Sequence, residues 1–167
     1  MIDPKFFIQR IIVDEDGIDQ PDEEVEISDK FKGICYNAVS GLDKYGKIRV
    51  YKETYPESNK TDVFIPSDYT REATTISLKL YFFDPNNSSD QETAITAVEK
   101  VYHDFIEYIS GVRIKYRDNV RKRKAIMYLE DAIDVDTDKL YGIVYKSATF
   151  KFNNIYGQTF PLDDPIL

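Results

Sequence analysis

The sequence predicts an α+β fold: a mainly antiparallel β-sandwich or barrel-like sheet flanked by one amphipathic helix over about residues 90–110. Three observations carry that expectation. Only "SSDQETAITAVEKVYHDFIEYISG" repeats its apolar residues at helical steps. Segments on both sides of it alternate apolar and polar residues, the period of a half-buried strand. The order is therefore strands, one helix, then strands, without the regular β–α alternation of a parallel sheet.

Taken from the N-terminus, "KFFIQRIIV", "EVEIS", "GICYNAV" and "KIRVYKE" read as short strands. Between the first two lies "DEDGIDQPDEEVE", the core of an acidic segment over about 14–29, expected to be extended and mobile because it has few apolar anchors. "TYPESNKTDVFIPSDYT" reads as a long polar loop over about 55–70. "ATTISLKLYFF" sets Ile76, Leu78, Leu80 and Phe82 against Ser77, Lys79 and Tyr81, and Asp84-Pro85-Asn86-Asn87 ends it with turn chemistry. In the helix, Ile95, Val98, Tyr102, Phe105 and Ile109 form the apolar stripe, and Lys100, His103, Asp104 and Glu107 the wet face. Ser89 and Glu92 have capping-box spacing, and Gly111 stands where a helix-ending glycine belongs. "GVRIKY", "AIMYLE" and "GIVYKSATFKFN" are the later strands, the last with Ala148, Phe150 and Phe152 on one face. The whole of 1–167 reads as one domain, long enough to bury a core without staples.

Composition narrows the chemistry. Tyr (13) and Phe (10) supply all the aromatic content, which suits strands and contact surfaces. Cys35 is the only cysteine, so no intramolecular disulfide and no cysteine-based zinc site is possible; the expectation for it is a buried, inert thiol. The single histidine, His103, has no nucleophile context, and no nucleophile elbow, Gly-rich phosphate loop or H-E-x-x-H motif is present. No apolar run approaches a membrane span and no signal-peptide pattern opens the chain, so the expectation is a soluble protein made in a cytoplasm, with no cofactor and no membrane partner. Asp134, Asp136 and Asp138 alternate like the start of a calcium loop, but Lys139 replaces the turn glycine and Tyr145 the closing Glu. The stretch 130–138 therefore reads as a solvated acidic loop.

One stretch stands against the net charge of −8 and the pI near 4.7: "VRIKYRDNVRKRK" gathers Arg113, Lys115, Arg117, Arg121, Lys122, Arg123 and Lys124. With Asp118-Asn119 as a two-residue turn, Lys115 faces Lys122 and Arg113 faces Lys124; a one-residue change of register pairs Arg117 with Arg121. Either way like charges crowd across the ribbon, and the hairpin 113–124 gains from an anion. Nucleic acid is one such partner, which makes a nucleic-acid-binding module the alternative reading. The overall acidity and the lack of an RNP-type motif favour instead the acidic surfaces of another copy, at Asp14 to Glu26 or Glu130 to Asp138.

The residue order also carries a resemblance. Arg71-Glu72 open a strand, Tyr102 and Phe105 mark the helix, Asp118 and Arg121 the turn, and Thr149, Phe150 and Phe152 the final strand. Over a little over half the chain this resembles the N-terminal domain of the distal tail proteins of long-tailed bacteriophages, which share a fold with tail-tube subunits. The resemblance implies a non-enzymatic virion component synthesised in the bacterial host cytoplasm. It implies a hexameric ring around the tail channel, at the tube or the tube–baseplate junction, with copies of itself and other tail proteins as partners.

Overall fold

The computed structural model describes residues 5–55 and 60–165. Its elements, in chain order, are β1 Phe6–Val13, β2 Asp19–Pro21, β3 Val25–Glu26, α1 Ile27–Lys30, β4 Ile34–Ser40, β5 Tyr51–Tyr55, β6 Lys60–Phe64 and β7 Thr74–Phe83. There follow α2 Gln91–Ile109, β8 Arg113–Asp118, β9 Arg123–Leu140, β10 Ile143–Asn154 and β11 Phe160–Pro161. Every strand pairing is antiparallel. The main sheet is open and nine-stranded, in the order β2-β1-β8-β9-β10-β7-β4, with β3 also on β1 and β11 on β9; β5 and β6 form a separate two-stranded sheet. The fold is α+β, as the alternation predicts.

Strict alternation in β7, β8 and β10 sends one set of side chains to a single face, and α2 crosses that face over β10 and β7. Phe82 sits at the centre. Its ring lies 5.3 Å from Tyr102, 6.0 Å from Phe105 and 6.1 Å from Phe150, mostly edge to face, the arrangement aromatic quadrupoles favour. Leu78, Leu80, Ile76, Val98 and Ile109 close around it. The buried stripe of the helix is Ala94, Val98, Tyr102, Phe105 and Ile109; Ile95 instead is 38 % exposed, because a rotation of one position lets the small Ala94 meet the sheet. Ser89 does not cap α2. Asp90 does, accepting from the Thr93 N–H at 3.0 Å and the Thr93 hydroxyl at 2.6 Å. His103 lies on the wet face beside Glu99, 3.4 Å away.

Four other segments differ from expectation. The acidic segment 14–29 runs extended beside β1, but carries strands β2 and β3 and helix α1 where a loop is expected. Asp14 holds a tight turn by accepting from the Ile18 N–H at 2.8 Å and the Asp16 N–H at 3.0 Å, β2 and β3 then pair with β1, and α1 buries Ile27. The long loop 55–70 contains β6, which pairs with β5, and Ile48 bridges Arg71 below that hairpin; residues 56–59 lie outside the described residues. The stretch 130–138 is strand, not loop: it is part of β9, with Asp134 in the left-handed region (φ 52°) where the ladder with β10 slips register. Cys35 is exposed, because it sits on the edge strand β4 and points to the face without the helix.

Candidate functional site: a basic strand closed by an acidic strap

The seven cations of the hairpin 113–124 do not meet as the two-residue turn requires. β8 ends at Asp118 and β9 begins at Arg123, so the connection is longer, with Lys122 in the left-handed region (φ 56°). Arg117 pairs across with Lys124, Lys115 with Ile126 and Arg113 with Tyr128. The connection has its own organiser in Asp118. The residue is 4 % exposed, and its carboxylate accepts from the backbone N–H of Val120 (2.9 Å) and Arg121 (2.8 Å), from the Arg121 guanidinium (3.1 Å) and from the Tyr116 hydroxyl (3.2 Å). Burial, followed by the Asp118 charge, pushes the Tyr116 phenol far above its ordinary range.

Of the other cations, Arg113 and Arg117 find carboxylates within the chain, while Arg123 and Lys124 find neutral oxygens. Residues 14–26 run as a strap along the outer edge of β1, on the side away from β8. Arg113 is paired with Asp19, Arg117 with Glu24 at 2.8 Å, and Arg10 of β1 with Asp22 at 2.9 Å. Hydrogen bonding from Arg10 holds the Asp22 carboxyl below its ordinary value. Arg117 also lies over the Phe7 ring at 3.8 Å, and Arg10 over Tyr108 at 4.4 Å. Arg123 donates to the hydroxyl and carbonyl oxygens of Thr159, and Lys124, 6 % exposed, donates to the Asp164 carbonyl. Among the described residues Lys115 and Lys122 have no carboxylate against them.

From the sequence, the basic residues and two complementary acidic surfaces, Asp14 to Glu26 and Glu130 to Asp138, are legible, with another copy as the expected partner; in the structure the first of these pairs within the chain. The separations hide the pairing: Arg113 and Arg117 stand 94 and 93 residues from Asp19 and Glu24.

Two further surfaces stand out among the described residues. Lys44, Lys47, Arg49 and Lys52 are exposed and make no ion pair among the described residues, and beside them Val63, Phe64 and Ile65 are 54 %, 65 % and 56 % exposed. At the far end of the sheet Tyr81, Phe83, Leu140, Tyr141, Ile143 and Tyr145 line an apolar groove of about 290 Å³. Asp136 and Asp138 stand at its rim; after partial burial, the Asp138 charge is the largest cause raising the Tyr145 phenol. Among the described residues no group of three or more His, Cys, Asp or Glu is placed to hold a metal ion.

No protein-family model matches the chain, and no curated protein matches it significantly. Solved structures do. The SPP1 Dit protein, described as a paradigm of the hub adsorption apparatus in phages infecting Gram-positive bacteria, superposes with a TM-score of 0.53 at 13 % identity, over 93 % of this chain and 52 % of that one. The phage P2 baseplate, in its activated conformation with calcium, gives a TM-score of 0.46 at 12 % identity, over 89 % of this chain and 44 % of that one. This chain thus spans about half the length of the chains it matches, and at such identities the likeness is one of fold.

Proposed function

We propose that this chain is a structural subunit of a bacteriophage tail, one of a ring of identical copies around the tail channel at the tube or tube–baseplate junction. The observation that carries the reading is the fold likeness to SPP1 Dit over 93 % of the chain. The order of residues from Arg71 to Phe152 points the same way independently of coordinates. The surface supports an assembly part in physical terms: apolar side chains stand exposed on the β5–β6 hairpin and around the β9–β10 turn, as on contact surfaces. Other tail proteins are its further partners, and the virion tail its place.

The strap weighs against the alternative, a nucleic-acid site on the hairpin 113–124. Arg113 and Arg117 already face carboxylates, and a phosphate backbone would have to displace them. Electron microscopy of the purified full chain tests the proposal. Annular particles with a central channel, six copies each, are expected. Particles without a channel at every concentration overturn it, and salt-dependent retardation of DNA by the monomer would favour the nucleic-acid reading instead.

A further inference from the structure

We infer that copies of this chain join head to tail, the β5–β6 hairpin of one seating in the apolar groove beside the β9–β10 turn of the next. The inference rests on the assembly reading above and names the surfaces it uses.

Three observations lead there. First, the two apolar surfaces cannot meet within one chain. The bridge from Ile48 to Arg71 ties the base of β5–β6 to the start of β7, while the groove lies against Phe83 at its end. The ten residues of β7 separate them by roughly 30 Å at about 3.3 Å per residue.

Second, their charges are complementary, and both are left over after the strap has paired with β1 and β8. Lys52 stands directly across from Val63, with Lys47 and Arg49 below it. The groove is rimmed by Asp136 and Asp138, with Asp134 further along β9, and none of the three makes an ion pair among the described residues. An apolar knob beside cations fits an apolar groove rimmed by carboxylates.

Third, both surfaces carry features that the isolated chain does not need. A two-stranded ribbon outside the main sheet is marginal alone and gains from packing on something else. At the groove's lip, Tyr141-Gly142 make a two-residue turn with both residues at positive φ (50° and 82°). Asn or Asp suits the first of these positions; a tyrosine that is 95 % exposed carries backbone strain for little contact among the described residues. Contact with a second copy supplies more.

A mixing experiment on the full chain tests this. One variant carries Leu140→Asp and Ile143→Asp in the groove; the other carries Val63→Asp and Ile65→Asp on the hairpin. All four positions are at least half exposed, so circular dichroism and melting should match the parent. Light scattering coupled to size exclusion should find the parent associated and each variant alone monomeric at 19.5 kDa. Each variant keeps one intact half of the contact, so an equimolar mixture should form a dimer of twice that mass and stop there. Independently of folding at the apolar positions, Lys52→Glu and Asp138→Lys should each weaken association, more at low salt, and their mixture should restore it. A monomeric parent, variants that associate like the parent, or a mixture that stays monomeric overturns the inference. Channel-bearing rings that persist in the variants would leave the tail-subunit reading standing while this contact falls.

Discussion

Asp118 shows how one carboxylate fixes a turn that the sequence leaves ambiguous. Asp-Asn reads as a two-residue turn, yet the buried carboxylate accepts from the Val120 and Arg121 amides in a longer connection. Asp118→Ala strands those donors together with the Tyr116 hydroxyl in a site 4 % exposed, and should cost about 2–4 kcal/mol in a urea titration. Tyr116 adds a pH dependence of known sign. Its folded-state pKa is raised, so it stays neutral where the unfolded phenol ionises; the unfolded state then binds fewer protons, and stability falls as pH rises past about 10. Burial raises Tyr36, Tyr102 and Tyr108 in the same direction. Alkaline unfolding should therefore be steep, and Tyr116→Phe should make it shallower when melting is followed from pH 9 to 11. On the acid side the sign reverses. Asp14, with a backbone amide as the main cause, and Asp22, with Arg10, titrate below their ordinary values; their contribution is present above about pH 4 and is lost as pH falls through those lowered values.

Among the elements, α2 is the one whose removal the fold cannot absorb. Phe105 is fully buried among Phe31, Phe82 and Phe150, and Phe105→Ala should cost about 3–5 kcal/mol by denaturant titration, a large part of a domain's stability. The strap is its opposite. Three ion pairs, each about one-third exposed, hold it with about 0.2–1 kcal/mol apiece, alongside the anchor Ile27. Amide exchange over 14–24 should accelerate in 1 M salt, where the screening length is about 3 Å, while β7 and β10 stay protected. This contrast also explains what was legible beforehand. Helix α2 and strands β7, β8 and β10 announce themselves because burial imposes a period on their own residues. The strap carries no period, since what holds it is charge on strands far along the chain. Strand β6 hides because "KTDVF" meets its partner across Pro56 and polar residues rather than a glycine turn. Lys146 escapes for a different reason. Alternation puts it on the buried face, where 8 % exposure is tolerable because Glu99 and the Tyr102 ring meet it from the helix. Of the candidate site, the residue types were readable and their partners were not.

For the whole molecule, the two edges of the sheet are not equivalent. β4 ends it at one side with its outer backbone groups unpaired by any described strand, while β2 and β3 cover β1 at the other with charged residues and Pro21. An edge dressed in this way resists accidental pairing, so sheet-to-sheet growth through β1 should be rare; substituting Asp19, Asp22 and Glu24 together by Asn or Gln should raise turbidity on concentration. The same arrangement has a consequence in time. β1 finds its sheet partner β8 roughly a hundred residues downstream, from Phe6 opposite Asp118 to Ile11 opposite Arg113. At about 5–20 residues per second, a ribosome takes roughly 5–20 s to supply that partner. Throughout the interval "FFIQRIIV" is an apolar strand without a sheet, the kind of segment that recruits chaperones or sticks to its neighbours on a polysome. Its hairpin with β2 is local, closed by the turn at Asp14, and emerges almost at once. Once translated, the strap should therefore set its carboxylates beside the first strand before the rest of the sheet exists.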